Sequence, residues 1–212
     1  NQTNFLILKG EDHILVDLGA KGPQALKDVA NLVVSDIRVT LATHSHADHI
    51  GGYEEMGIMG RYTGVRKMGL PKPKMIVTEE YQRILWDCSL RGGMEWNEAL
   101  DEKGRPADTT ILASGRKVLD SLGRKLNFSD YFEPLRPGWM QMQPREKYEL
   151  DVGSIHLEMF RTKHIPEQSP SWESSFWSCG LCIDRRVFFS GDTRFDPDLI
   201  AEYKDCEWFF HD

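Results

Sequence analysis

No stretch of this sequence comes near the ~18 consecutive apolar residues that cross a bilayer as a helix, and no membrane segment is expected. Cysteine is scarce, four in 212 residues. That is too few for a disulfide framework and makes a reducing cytoplasm the expected compartment. Basic charge is in deficit: 26 Lys and Arg face 33 Asp and Glu, a net charge of −7. A protein that coats long nucleic acid presents a basic face, so that class is disfavoured. A small anionic substrate held through metal ions stays open. There is no repeat at a fixed period and no low-complexity tract. With 40% hydrophobic residues, the chain can build a layered core, which excludes disordered and collagen-like classes.

The length fits one domain over 1–212 with room for an insertion. Phe5–Leu8 and His13–Asp17 read as strands joined by a hairpin turn at Lys9-Gly10-Glu11-Asp12, with His13 exposed to solvent. Pro23 suits a first helical position. Ala25, Leu26, Val29, Ala30, Leu32 and Val33 follow at helical spacing. Ile37–Thr43 and Met75–Val77 read as strands, and Thr78 can cap a helix over Glu79–Leu90. From Gly92 to Gly138 the pattern weakens, with short helices at Glu95–Leu100 and Arg116–Leu122. Tyr148–Leu150, Ile155–Phe160, Phe176–Ile183 and Arg186–Ser190 are strands, with a tight turn at Asp184-Arg185. A helix over Asp198–Tyr203 and a closing strand Trp208-Phe209-Phe210 complete the α/β pattern: two sheets with helices outside. The chain opens on Asn1 and stops just past that strand, and is read as part of a longer protein.

Chemistry concentrates in His44-x-His46-x-Asp48-His49. Three imidazoles and a carboxylate in six residues are ligand types for zinc, manganese or iron. The motif begins where a strand ends, so an irregular backbone can aim several side chains at one point. His44 and His46, two apart on extended chain, point the same way. Asp48 and His49, past a turn, can reach a second ion. Gly51 and Gly52 permit close backbone passage into a helix. Downstream, Ser190-Gly191-Asp192-Thr193 follows an apolar strand and places a carboxylate at its end, suited to bridging two cations.

Together with Val16-Asp17-Leu18-Gly19 and His164, these motifs resemble the metallo-β-lactamase-fold hydrolases, in order and over nearly the whole chain. The resemblance implies an αββα four-layer sandwich with a dinuclear metal site at the sheet edge. It implies two divalent cations, zinc or alternatively manganese. His44, His46 and His164 would hold one, Asp48 and His49 the other, with Asp192 bridging and Asp17 steadying the site from behind. Asp192 stands where the antibiotic-degrading zinc lactamases carry cysteine. Ser190-Gly191-Asp192-Thr193 and Phe209-Phe210-His211-Asp212 are similar to the ribonuclease Z branch, whose relatives include cyclic-nucleotide phosphodiesterases. A glycine- and proline-rich tRNA-gripping arm with a basic cluster is not found, and His211-Asp212 replaces the His-Glu pair usual in that branch. The branch also supplies a further metal-binding histidine and a proton-donating histidine, and neither is in this sequence.

Two histidines compete for the third ligand position. His156 falls inside the strand Ile155–Phe160, and His164 in a loop beyond it. The family places this ligand in such a loop, which favours His164. Cys179-Gly180-Leu181-Cys182 lies in a strand, where residues three apart face opposite sides, and reads as two buried thiols. The basic tract Arg61, Arg66, Lys67, Lys72, Lys74 reads as a solvated loop, the alternative being a guide for phosphate. Trp172 is a candidate stacking surface for a nucleobase, and His211 a candidate proton donor. Residues 61–145 form an insertion, either a substrate lid or an oligomer contact such as a homodimer interface.

The expected function is a metal-dependent phosphodiesterase acting on a small phosphodiester such as a cyclic mononucleotide through a metal-activated hydroxide, with Asp48 orienting it or taking its proton. The alternatives are a tRNA 3′-processing endoribonuclease and a lactone or thioester hydrolase using the same site.

Overall fold

The computed structural model describes residues 4–101, 103, 124–139, 143–164 and 175–211. The N-terminal hairpin forms as its turn chemistry requires: β1 (Phe5–Lys9) pairs antiparallel with β2 (Asp12–Val16), and Gly10 takes φ +59° between them. From β2 the sheet grows in parallel through β3 (Val39–Leu41), β4 (Lys74–Ile76) and β7 (Glu133–Leu135). A two-stranded ribbon, β5 (Ala99–Leu100) with β6 (Arg124–Lys125), lies between β4 and β7 in sequence. The parallel strands read as short apolar runs because both faces are covered. Ile14, Val16, Leu41 and Ile76 are all at most 1% exposed.

The second sheet runs β12-β11-β10-β9-β8. Its members are β8 (Lys147–Val152), β9 (Ile155–His164), β10 (Phe176–Ile183), β11 (Val187–Phe189) and β12 (Trp208–Phe210), antiparallel except for the parallel β11–β12 pair. Asp184 and Arg185 both adopt positive φ in the β10–β11 turn, which suits the twist of a tight hairpin. One contiguous apolar cluster draws on both sheets, with Ile14, Leu15 and Leu41 from one and Leu157, Met159, Trp177 and Leu181 from the other. On the far face of the second sheet, Phe160, Cys182 and Phe188 pack under Leu199 of the helix Pro197–Glu202. Cys179 sits in the inner cluster, so the two cysteines of the CxxC segment do face opposite sides. The Cys182 sulfur lies 3.7 Å from that of Cys206, both thiols being free.

Several elements differ from the sequence reading. Strand β9 does not stop at Phe160: it continues to His164, paired with Phe176 of β10. Its polar end is tolerated because the polar groups satisfy one another. The Thr162 and Ser178 hydroxyls bond at 2.7 Å, and buried Arg161 donates to the carbonyls of Thr162 and Ser178. His13 is not a free surface group; its Nε2 accepts the Arg38 backbone N–H at 2.8 Å. The helix starting at Gly22–Ala25 widens over Leu26–Ala30 and ends on left-handed Asn31, leaving Val29 87% exposed. Thr78 caps its helix by accepting the Tyr81 N–H, but the regular turns stop at Leu85. Glu95–Leu100 is not helical: the helix there is Arg91–Met94, and β5 follows. The basic tract is not a loop either. Gly60–Met68 is helical, Arg61 and Arg66 converge on the Glu98 carboxylate, and Lys72 donates to the Ser129 carbonyl. Within the interval 61–145, β4 and β7 are members of the first sheet. Arg116–Leu122, Trp172 and Asp212 lie outside the described residues.

Candidate metal centre

The histidine motif is aimed by contacts made one layer behind it. Asp17 leaves β2 with φ +59°, an uncommon conformation that turns its carboxylate under the loop after β3. There it accepts the Thr43 backbone N–H at 2.7 Å, the Thr43 hydroxyl at 2.8 Å and His49 Nδ1 at 2.8 Å. The following loop is sewn to the motif helix Ala47–Ile50 by two backbone bonds, Leu18 N–H to the His49 carbonyl and Gly52 N–H to the Leu18 carbonyl, both 2.7 Å. A side chain at position 52 would press into Leu18, which explains the glycine. Asp17 is fully buried, and burial raises its pKa. We expect Asp17→Ala to cost about 3–5 kcal/mol, as for breaking a buried charged pair. It strands the Thr43 N–H and His49 Nδ1 without partners. A urea-denaturation midpoint equal to wild type would contradict this.

On the opposite side, Gly191 adopts φ +60°, with the Cys179 carbonyl only 2.6 Å from where a Cβ would stand. The chain can then turn Asp192 toward the histidines. Thr193 clips the same loop to the end of β9: its hydroxyl accepts the Lys163 N–H and donates to the Lys163 carbonyl, each at 3.2 Å.

These elements bring His44, His46, His164 and Asp192 together, with one donor atom from each lying within 4.8 Å of the others. His44 Nε2 and His46 Nδ1 are 3.0 Å apart, and His164 Nε2 lies 3.2 Å from the same His46 atom. Asp192 Oδ2 lies 3.7 Å from His44 Nε2 and 3.3 Å from His49 Nε2. Asp48 flanks the cluster, half-exposed, 3.6 Å from His49 Nε2. His156 is elsewhere, hydrogen-bonded through Nδ1 to Asp151 at 2.7 Å. His211 also lies outside the cluster, its ring 6.1 Å from that of Phe195.

The electrostatics suit cation binding. Burial, reinforced by the neighbouring His49 charge, drives His44 down to about 2, so its imidazole is neutral and its lone pairs are free for a ligand bond. Burial also opposes charge on His49, but the Asp17 hydrogen bond and the Asp192 carboxylate outweigh it and hold that group up at about 10, so a cation bound there would displace its proton. Interaction with His49, whose Nε2 is 3.3 Å away, lowers Asp192 and keeps it anionic. His49 Nε2 is buried and makes no hydrogen bond despite the nearby carboxylate. A buried polar atom without a partner is costly. Here it points to the same space as the three other imidazoles and the carboxylate. Three nitrogens and a carboxylate oxygen fit a zinc-type ion, and Asp17 fixes the tautomer of His49 as outer carboxylates do in metal sites.

Sequence reasoning favoured core packing for Phe176 over a base-stacking role and did not place it against the metal centre, where its ring stacks on His46 at 4.9 Å and meets His44 and His164 edge-on. Its signal is its pairing opposite His164, which appears only with the strand register. Thr43 and Thr193 were legible as motif members but not as the clips they are.

A family model described as anti-Pycsar protein Apyc1 matches residues 1–212. The chain belongs to this family. The Apyc1 protein of Bacillus phage BSP38 is 29% identical over 209 residues, covering 94% of this chain and 65% of that protein. The Apyc1 protein of a Paenibacillus strain, J14, is 27% identical over 212 residues, covering 99% and 68%. The chain thus spans about two thirds of the length of these curated Apyc1 relatives. Among solved structures, the metallo-β-lactamase-fold protein YhfI from Bacillus subtilis superposes with a TM-score of 0.56 at 12% identity, covering 98% of this chain and 62% of that one. The short form of human tRNase Z superposes equally, 0.56 at 14% identity, covering 99% and 70%. The fold of this Apyc1 family member is therefore the metallo-β-lactamase fold. No helix among the described residues is long and apolar enough to cross a membrane.

Proposed function

We propose that this chain carries the catalytic centre of a metal-dependent phosphodiesterase whose substrate is a small phosphodiester, a cyclic mononucleotide. The observation that carries the reading is the convergence of His44, His46, His164 and Asp192, with His49 and Asp48 beside them, at the end of the two sheets. In this proposal His44, His46 and His164 hold one divalent cation, Asp48 and His49 a second, and Asp192 both. Bound there, such cations, zinc or manganese, lower the pKa of a coordinated water and offset charge on phosphoryl oxygens. The chain's own residues do the rest. Asp17 and Thr43 keep His49 oriented. Asp48, the most exposed carboxylate of the group, accepts the proton of the attacking water. His211 is the candidate donor to the leaving oxygen.

The substrate class is supported by the resemblance of the motifs to the cyclic-nucleotide phosphodiesterase branch and by charge. The net charge is −7, and Arg61 and Arg66 are already engaged by Glu98. A long RNA would find few free cations along that tract. The purified protein should be assayed on a nitrophenyl phosphodiester, cyclic mononucleotides, pre-tRNA, a lactone and a thioester, with zinc or manganese and after chelation. We expect chelator-sensitive hydrolysis of cyclic mononucleotides, two metal ions per chain by elemental analysis, and little change in KM between about 50 and 200 mM salt. Efficient pre-tRNA cleavage with a salt loss of roughly 10³-fold or more over that range would restore the nuclease alternative. Turnover confined to the lactone or thioester would restore the carboxyl-type alternative.

A further inference from the structure

On the chain segments that carry His164 and Asp192 lies a cavity of about 310 Å³ lined by Lys163, Arg194, Phe195, Asp196 and Pro197. Its walls are the chain segments that carry two of the clustered residues. Lys163 directly precedes His164, and Arg194 follows Asp192 by two positions. The Arg194 N–H donates to the Lys163 carbonyl at 2.9 Å, so these segments are fastened together at the cavity. Phe195 is 75% exposed, and its ring approaches His211 at 6.1 Å. Single exposed apolar residues are ordinary. This one stands on a cavity, next to two cations, three residues after Asp192.

The charge balance of the cavity is positive. Asp196, the one acid in the lining, is paired with Arg145 at 2.7 Å and accepts the Leu199 N–H at 3.1 Å as the helix cap. Neither the Lys163 nor the Arg194 side chain forms an ion pair with a described residue. In a chain of net charge −7, two cations at a concave surface, with no ion-pair partner among the described residues, concentrate anions there.

We infer that Lys163, Arg194 and Phe195 form the subsite that receives the nucleoside part of the substrate, with the base stacked on Phe195 and the two cations drawing in the phosphate. The inference rests on the phosphodiesterase reading for its ligand class. It assigns specificity to residues outside the metal cluster. An aromatic face accepts any base, so Phe195 sets the preference for a nucleotide over a base-free phosphate rather than the choice of base.

The test separates binding from turnover. Calorimetry on chelator-treated protein would compare adenosine and cytidine 3′,5′-cyclic monophosphates with ribose 3′,5′-cyclic phosphate, which lacks a base. We expect the cyclic nucleotides to bind more tightly. Phe195→Ala should weaken them about tenfold or more, leave the base-free phosphate unchanged, and be rescued by Phe195→Tyr. Arg194→Ala should weaken all three ligands. Equal affinity of wild type and Phe195→Ala, no preference for the nucleotides, or no measurable binding to wild type would overturn the subsite. If Phe195→Ala loses binding while wild type, metal-loaded, hydrolyses no cyclic nucleotide, the subsite stands and the phosphodiesterase reading fails. If wild type hydrolyses them and Phe195→Ala has an unchanged KM, the reverse holds.

Discussion

Asp192→Ala is expected to lose metal and rate together. The carboxylate lies within reach of His44 and of His49, 3.7 and 3.3 Å from their Nε2 atoms, and is the one acidic member of the four-residue cluster. Removing it leaves imidazoles alone around the first cation and takes away the anion that the two cations share. Loss of a partner behind a ligand typically costs 10–100-fold, and loss of a shared ligand should exceed that, at roughly 10³-fold in kcat/KM. Metal content, measured after dialysis, should fall with it. The side chain is partly exposed, and Gly191 and Thr193 hold the loop independently, so the fold should survive and the thermal midpoint should move little. A variant that keeps its full metal content and turns over at near-normal rate would reduce Asp192 to a turn residue.

His164→Ala should be comparably damaging, and His156→Ala should not. The two histidines share a strand and even the same side parity, eight residues apart, yet their surroundings differ. The His164 ring lies against His46, 3.2 Å between nitrogens, and next to Phe176. The His156 ring faces Asp151 at the other end of β9, in a half-exposed hydrogen-bonded pair. Such pairs contribute about 0–1 kcal/mol, so His156→Ala should change stability by less than ~1 kcal/mol and leave kcat/KM within about twofold. His164→Ala should reduce kcat/KM by roughly 10³-fold and weaken metal retention in a chelator competition. The reverse ranking would place the site at the wrong end of the strand.

The contrast between these two residues also shows where sequence reasoning stops. It favoured His164 by assigning it to a loop, whereas His164 closes β9. Strand length here depends on pairing with β10, and on a Thr162–Ser178 bond that no local pattern announces. The same limit applied to Arg61 and Arg66. As letters they form a basic tract; in the fold they are held by Glu98, more than thirty residues away.

What the sequence determined by itself was local. Imidazoles two apart on extended chain, a carboxylate and histidine past a turn, glycines where the backbone must pass closely, and a hairpin turn at Gly10 follow from covalent spacing and backbone sterics. These are readable without neighbours, and they carried the metallo-β-lactamase resemblance. Only the tertiary structure decided which residues meet. Asp17 reaches Thr43 and His49 across two strands, Thr193 clips Lys163, Phe176 covers His46, and Phe195 stands exposed on a cavity beside Lys163 and Arg194. Each contact depends on strand register, and register is set by burial summed over a whole sheet rather than by any single segment.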